Sequence, residues 1–152
     1  MIAADPAGKD TYEANAGKFL VDIEDVEKTV KDSIAKLPPA RRKIITTHDA
    51  FGYFGATYGM EFIAPEGVST ESEASAKDVA KIIRQIKAEK VPAVFLENVT
   101  DHRLLDQIAK ETGAKVGGTL YSDALSEPSG PAGTYLDMFR HNIETLSAAL
   151  SS

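Results

Sequence analysis

Apolar residues recur at Tyr12, Ala16, Phe19, Ile23, Val26, Val30, Ile34 and Leu37, three or four positions apart. That spacing lays them along one stripe of an amphipathic helix. The 26 residues from Tyr12 to Leu37 would form a rod of about 39 Å at 1.5 Å per residue. Pro38-Pro39 ends it, because proline neither donates to the helix ladder nor fits inside it. A helix of this length can bury one face on its own domain, and it is also long enough to brace a second one.

Beyond the prolines the period changes. Lys43-Ile44-Ile45-Thr46-Thr47 is a short β-branched strand, and residues Phe51 to Tyr58 form a short helix ended by Gly59. Glu61 to Ala64 is a second strand, followed by a helix from Ser72 to Glu89 with Val79, Ile82, Ile83 and Ile86 on one face. Ala93-Val94-Phe95-Leu96 has the unbroken apolar character of a buried strand, and the next helix carries Leu104, Leu105 and Ile108. Lys115 to Leu120 is the last strand, and a closing helix shows Tyr135, Phe139, Ile143, Leu146 and Leu150. Strand and helix alternate four times, which predicts the α/β class: a four-stranded, mainly parallel sheet flanked by helices and preceded by the long helix.

Composition narrows the partners. With 17 Lys and Arg against 23 Asp and Glu, the net charge of −6 disfavours nucleic acid and anionic membrane, both of which need a positive face. It is compatible with a cation as ligand. The absence of cysteine removes disulfides and thiolate metal sites. No apolar run approaches the length of a membrane span. Met1 to Pro6 has neither a basic n-region nor a long apolar stretch, so it does not read as a signal peptide. The protein is therefore cytoplasmic, or its export signal lies outside this chain.

In open α/β sheets, function gathers at the carboxyl ends of the strands. There stand His48-Asp49 after the first strand, Glu97-Asn98 after the third and Tyr121-Ser122-Asp123 after the fourth. One imidazole with one or two carboxylates suits a divalent cation where thiolates are lacking. A Ser122–His48–Asp123 triad can be assembled on paper, but no G-x-S-x-G elbow carries the serine. The His48-Asp49 pair has the look of metal phosphohydrolases, which are all-helical, whereas here it follows a strand. Neither a G-x-G-x-x-G nor a Walker loop is present. His102 falls in the first turn of a helix and is expected in solvent, and His141 lies off the apolar stripe of the last helix and is expected to face water. On spacing alone His48 stays open between a structural histidine and a ligand.

Four segments carry a resemblance: "HDAFGYFGATYG", "VFLENV", "GGTLYSDALS" and "GPAGTYLDMFRHNIETL". In this order they resemble the C-terminal lobe of the metal-binding substrate-binding proteins of ABC transporters. These are the cluster A-I proteins, which capture zinc or manganese outside the inner membrane. The resemblance runs from about Tyr12 to the end of the chain. It implies two α/β lobes joined by a rigid helix, with metal held between them. Residues 1–39 would be the linking helix and residues 40–152 the C-terminal metal-binding lobe.

Carried over, His48 takes the position of the family's third metal ligand and Asp123 that of the fourth. Glu97 matches a glutamate close to the site, and the expected role is to orient and polarise a ligand. Histidine at the position of His48 favours Zn2+, with Mn2+ as the alternative. The family's first two ligands are histidines of the N-terminal lobe, one in a D-P-H motif, whereas Asp5-Pro6 here is followed by Ala7. The resemblance thus implies half of a periplasmic or otherwise extracytoplasmic binding protein, without its N-terminal lobe and signal sequence, that hands metal to an ABC permease.

Two ligands cannot complete a tetrahedral shell, so weak zinc binding is expected of this chain alone. The uncovered stripe of the long helix is expected to self-associate. Two other readings differ in kind: a flavodoxin-like metal-dependent hydrolase using His48, Asp123 and Glu97, and a helix-mediated interaction domain with no active site. A further ligand in this chain would favour the first.

Overall fold

The computed structural model describes residues 1–64, 76–99 and 101–151. Helix α1 runs from Lys9 to Ala35, followed by strand β1 (Lys43–Ile45), helix α2 (Gly52–Tyr58) and strand β2 (Glu61–Ile63). Helix α3 (Ala76–Glu89), strand β3 (Ala93–Glu97), helix α4 (Arg103–Thr112), strand β4 (Lys115–Leu120) and helix α5 (Tyr135–Leu150) complete the order. The expected beginning of α3, residues 72–75, lies outside the described residues. Every strand pairing is parallel and the sheet order is β2-β1-β3-β4. Among the described residues no helix is long and apolar enough to cross a membrane.

The two central strands, β1 and β3, are apolar along most of their length because helices cover both faces of the sheet there. Successive side chains point to opposite faces. Ile44, Ala93, Phe95 and Leu120 accordingly pack with Val26, Val30 and Ile34 of α1 and with Ile143, Leu146 and Leu150 of α5. Ile45 and Val94 enter the opposite layer with Ile82 and Ile86 of α3 and Leu105 and Ile108 of α4.

Backbone freedom decides two positions. Gly59 ends α2 with φ +71°, a left-handed cap that glycine adopts without steric cost. In β4, a Cβ on Gly117 would stand 2.5 Å from the Phe95 ring and 2.9 Å from the Ala149 methyl. Only glycine lets α5 settle this closely on the strand.

Helix α1 divides into two halves. Val26, Val30 and Ile34 are buried, as is Leu37 just past the helix. Phe19, Leu20 and Val21 are exposed. The apolar stripe is continuous, but the lobe covers only its second half.

Candidate metal centre

The strand order determines where a site can form. From β1 the chain moves outward to β2, then crosses back over β1 to β3 and continues outward to β4. The carboxyl ends of β1 and β3 therefore flank the point where connections diverge, the usual crevice of an open parallel sheet. Residues from three of the strand ends meet there.

His48 follows β1 after Thr46 and Thr47, which are buried beyond the last paired residue. Its carbonyl accepts from the Thr46 hydroxyl at 3.1 Å and from the Ala50 amide at 3.1 Å, which turns the chain sharply. The side chain is 2% exposed. Phe51 and Phe54, behind this turn, pack against Phe62 with ring centroids 5.1 and 6.0 Å apart.

Glu97, the last residue of β3, is fully buried. Its Oε1 accepts the backbone N–H of His48 at 3.0 Å. Its Oε2 lies 2.7 Å from His48 Nδ1, although the ring sits off the line of a straight hydrogen bond. One carboxylate thus fixes both the main chain and the ring of His48. On the far side of the ring, Nε2 stands 2.9 Å from Asp123 Oδ2. Asp123 follows β4, and its side chain is 65% exposed. The three residues expected to form the site are therefore together, across sequence separations of 49 and 75 residues.

A cleft of about 590 Å³ opens over the pair, lined by His48, Asp49, Ala50, Gly52, Tyr53, Ala56 and Asp123. Beside it, an aromatic hollow of about 240 Å³ reaches from Asp123 to Phe54, Met138 and Asn142. Tyr53 projects almost wholly into solvent. Two ligand atoms on a tetrahedral zinc, each about 2.0–2.1 Å from the ion, stand about 3.3 Å apart. The observed Nε2–Oδ2 separation of 2.9 Å is the hydrogen-bonded form of such a pair. Among the described residues no group of three or more His, Cys, Asp or Glu side chains is placed to hold a metal ion.

The other histidines do different work. His102 is exposed, as its position in the first turn predicts, but its Nε2 lies 3.1 Å from the Glu97 carbonyl. His141 departs from expectation. It is half-buried, its Nε2 is 3.0 Å from the Thr119 carbonyl, and its ring meets Tyr121 edge-on at 5.2 Å. The close seating of α5 on β4 turns this position toward the strand and away from water.

The triad is not formed. Both ring nitrogens of His48 face carboxylates, and the buried Ser122 hydroxyl has no hydrogen-bond partner among the described residues.

Asn142, a buried member of the site's surroundings, was not visible as functional from spacing. Its amide holds both backbone groups of Tyr121, accepting from N at 2.9 Å and donating to O at 2.8 Å. Its one sequence signal is a polar residue within the apolar Phe139–Ile143–Leu146 stripe.

An open parallel sheet that brings an imidazole and a carboxylate to its switch point defines a lobe of the ligand-binding α/β class. Residues 1–149 match the family described as ZnuA, zinc-uptake complex component A periplasmic, and the chain belongs to that family. The manganese-binding lipoprotein MntA of Bacillus subtilis is 36% identical over 150 residues, covering 95% of this chain and 49% of that protein. The zinc-binding protein TroA of Treponema pallidum is 38% identical over 134 residues, covering 85% of this chain and 44% of TroA. The solved TroA structure superposes with a TM-score of 0.94 at 33% identity, covering 98% of this chain and 56% of that one. The iron-binding protein YfeA of Yersinia pestis is 29% identical over 147 residues, covering 97% of this chain and 47% of YfeA. The chain spans about half the length of these relatives.

Proposed function

We propose that this chain is the C-terminal lobe of an extracytoplasmic substrate-binding protein that captures a divalent metal ion for an ABC permease. The ion is zinc, held by His48 Nε2 and the Asp123 carboxylate. The observation that carries this reading is the 2.9 Å approach of those two atoms at the sheet's switch point, with Nδ1 backed by Glu97. A ring whose Nδ1 is tied to a carboxylate keeps Nε2 for the metal, and such a partner strengthens the ligand. An ion bound between Nε2 and Oδ2 takes the place of the contact between them.

Residues 1–39 serve as the linking helix and residues 40–152 as the lobe, the helix being rooted through Val26, Val30, Ile34 and Leu37. The remaining ligands come from a second lobe docked along the other half of α1. Manganese is the second reading, favoured by the identity to a relative named for that metal. A hydrolase would need a third protein ligand beside an open water position. Glu97, the third group such a reading would use, instead faces His48 Nδ1 and the His48 backbone amide.

Zinc titration by calorimetry tests the reading. The chain should bind zinc weakly, and His48→Ala and Asp123→Ala should each weaken it further. Nanomolar affinity in the monomeric chain, or indifference to both substitutions, would sink it.

A further inference from the structure

Asp123 is mostly exposed, so packing does not hold its carboxylate opposite His48. What holds it is the course of the backbone from Tyr121 to Ala124, and two side-chain amides fix that course. Asn142, on the buried face of α5, grips Tyr121 through both its N–H and its carbonyl, at 2.9 and 2.8 Å. Asn98, the residue after β3, brackets the ligand. Its Oδ1 accepts the Ser122 amide at 3.3 Å and its Nδ2 donates to the Ala124 carbonyl at 3.1 Å.

We propose that Asn98 and Asn142 are the positioning residues of Asp123, presetting its carboxylate for the metal. This rests on the reading of His48 and Asp123 as ligands. Because β3 lies between β1 and β4, neighbouring residues at its end serve opposite sides. Glu97 fixes His48 on the β1 side, and Asn98 fixes the Asp123 turn on the β4 side. The residue type follows from the task. A carboxamide carries both a donor and an acceptor, so one side chain satisfies an N–H and a C=O. It is also neutral, so it neither titrates nor rivals Asp123 for the cation.

The test is a double-mutant cycle read by NMR titration with zinc, using the His48 amide as reporter. Asn98→Ala is expected to weaken zinc binding about tenfold in the native chain, the usual scale for a partner of a ligand. In an Asp123→Ala background, where zinc is held weakly through His48, the same change should cost less than about twofold. Equal factors in both backgrounds, or no loss in the native chain, would overturn the inference. Asn142→Ala should behave like Asn98→Ala. If circular dichroism shows that variant unfolded, Asn98→Ala carries the cycle.

Backbone ¹⁵N relaxation of the metal-free chain gives an independent readout. Asn98→Ala should loosen residues 122–124 and leave His48 as ordered as before. An unchanged turn, or equal loosening at both places, counts against the proposal. An Asp123→Ala chain that binds zinc as the native chain does would instead sink the site reading beneath it.

Discussion

Glu97 carries more of this site than either proposed ligand, because it is fully buried and both its oxygens face His48. A buried group left without its partner costs about 1–3 kcal/mol, and more when charged. Glu97→Ala strands the His48 amide and frees its ring, so a loss of about 1–3 kcal/mol in unfolding free energy, read by urea denaturation, is expected together with lost zinc binding. Glu97→Gln preserves the shape but not the charge. It should leave urea stability closer to native while lowering zinc affinity about 10- to 100-fold. Parallel urea and calorimetric titrations separate the two roles, and a Glu97→Gln chain with native zinc affinity would reduce Glu97 to scaffolding.

At the scale of elements, α1 and β4 show where packing is decisive. Ile34→Ala should cost about 2–5 kcal/mol, because Ile34 lies within the α1–α5–sheet core. Leu20→Ser, on the uncovered half of the same helix, should fall within about 0.5 kcal/mol of native. Gly117→Ala forces a methyl against Phe95 and Ala149, an overpacking cost of about 1–3 kcal/mol. Chemical denaturation ranks all three.

At the start of β1, the Lys43 ammonium pairs with Glu89 and lies 3.0 Å from Glu61. The bond from Lys43 holds the Glu89 carboxyl below its ordinary value. That depression contributes stability above the usual carboxylate range, and the contribution disappears as pH falls through the lowered value. Glu89→Gln should therefore flatten the acid side of the stability profile. Because these groups are exposed, the difference should shrink in molar salt.

The order of elements was legible because period-2 and period-3.6 patterns alternate so cleanly. The parallel sheet followed from unbroken apolar runs such as Ala93–Leu96. By spacing alone His48 and Asp123 were legible only as members of a rim, since 75 residues separate them; the family resemblance was what singled them out as a pair. Asn142 and the inward turn of His141 were hidden for another reason. Both depend on how closely α5 sits on β4, which Gly117 sets through a contact no local window contains.

For the molecule as a whole, the uncovered half of α1 governs behaviour in solution. Phe19, Leu20 and Val21 are exposed around one turn of a rigid rod, and exposed apolar surface of this kind finds partners. Sedimentation of the isolated chain should show association that grows with concentration and is abolished by charged substitutions at Leu20 and Val21. A monomer at all concentrations would mean that this surface is tolerated in water.

The switch-point geometry also imposes an order in time. His48 lies in the first third of the chain, but the atom facing it belongs to the turn after the last strand, steadied by the last helix. The pair proposed to hold the ion is therefore complete only when the turn after β4 has formed and α5 has packed onto the sheet. On the proposed reading, an ion held by both atoms would report that α5 is docked on β4.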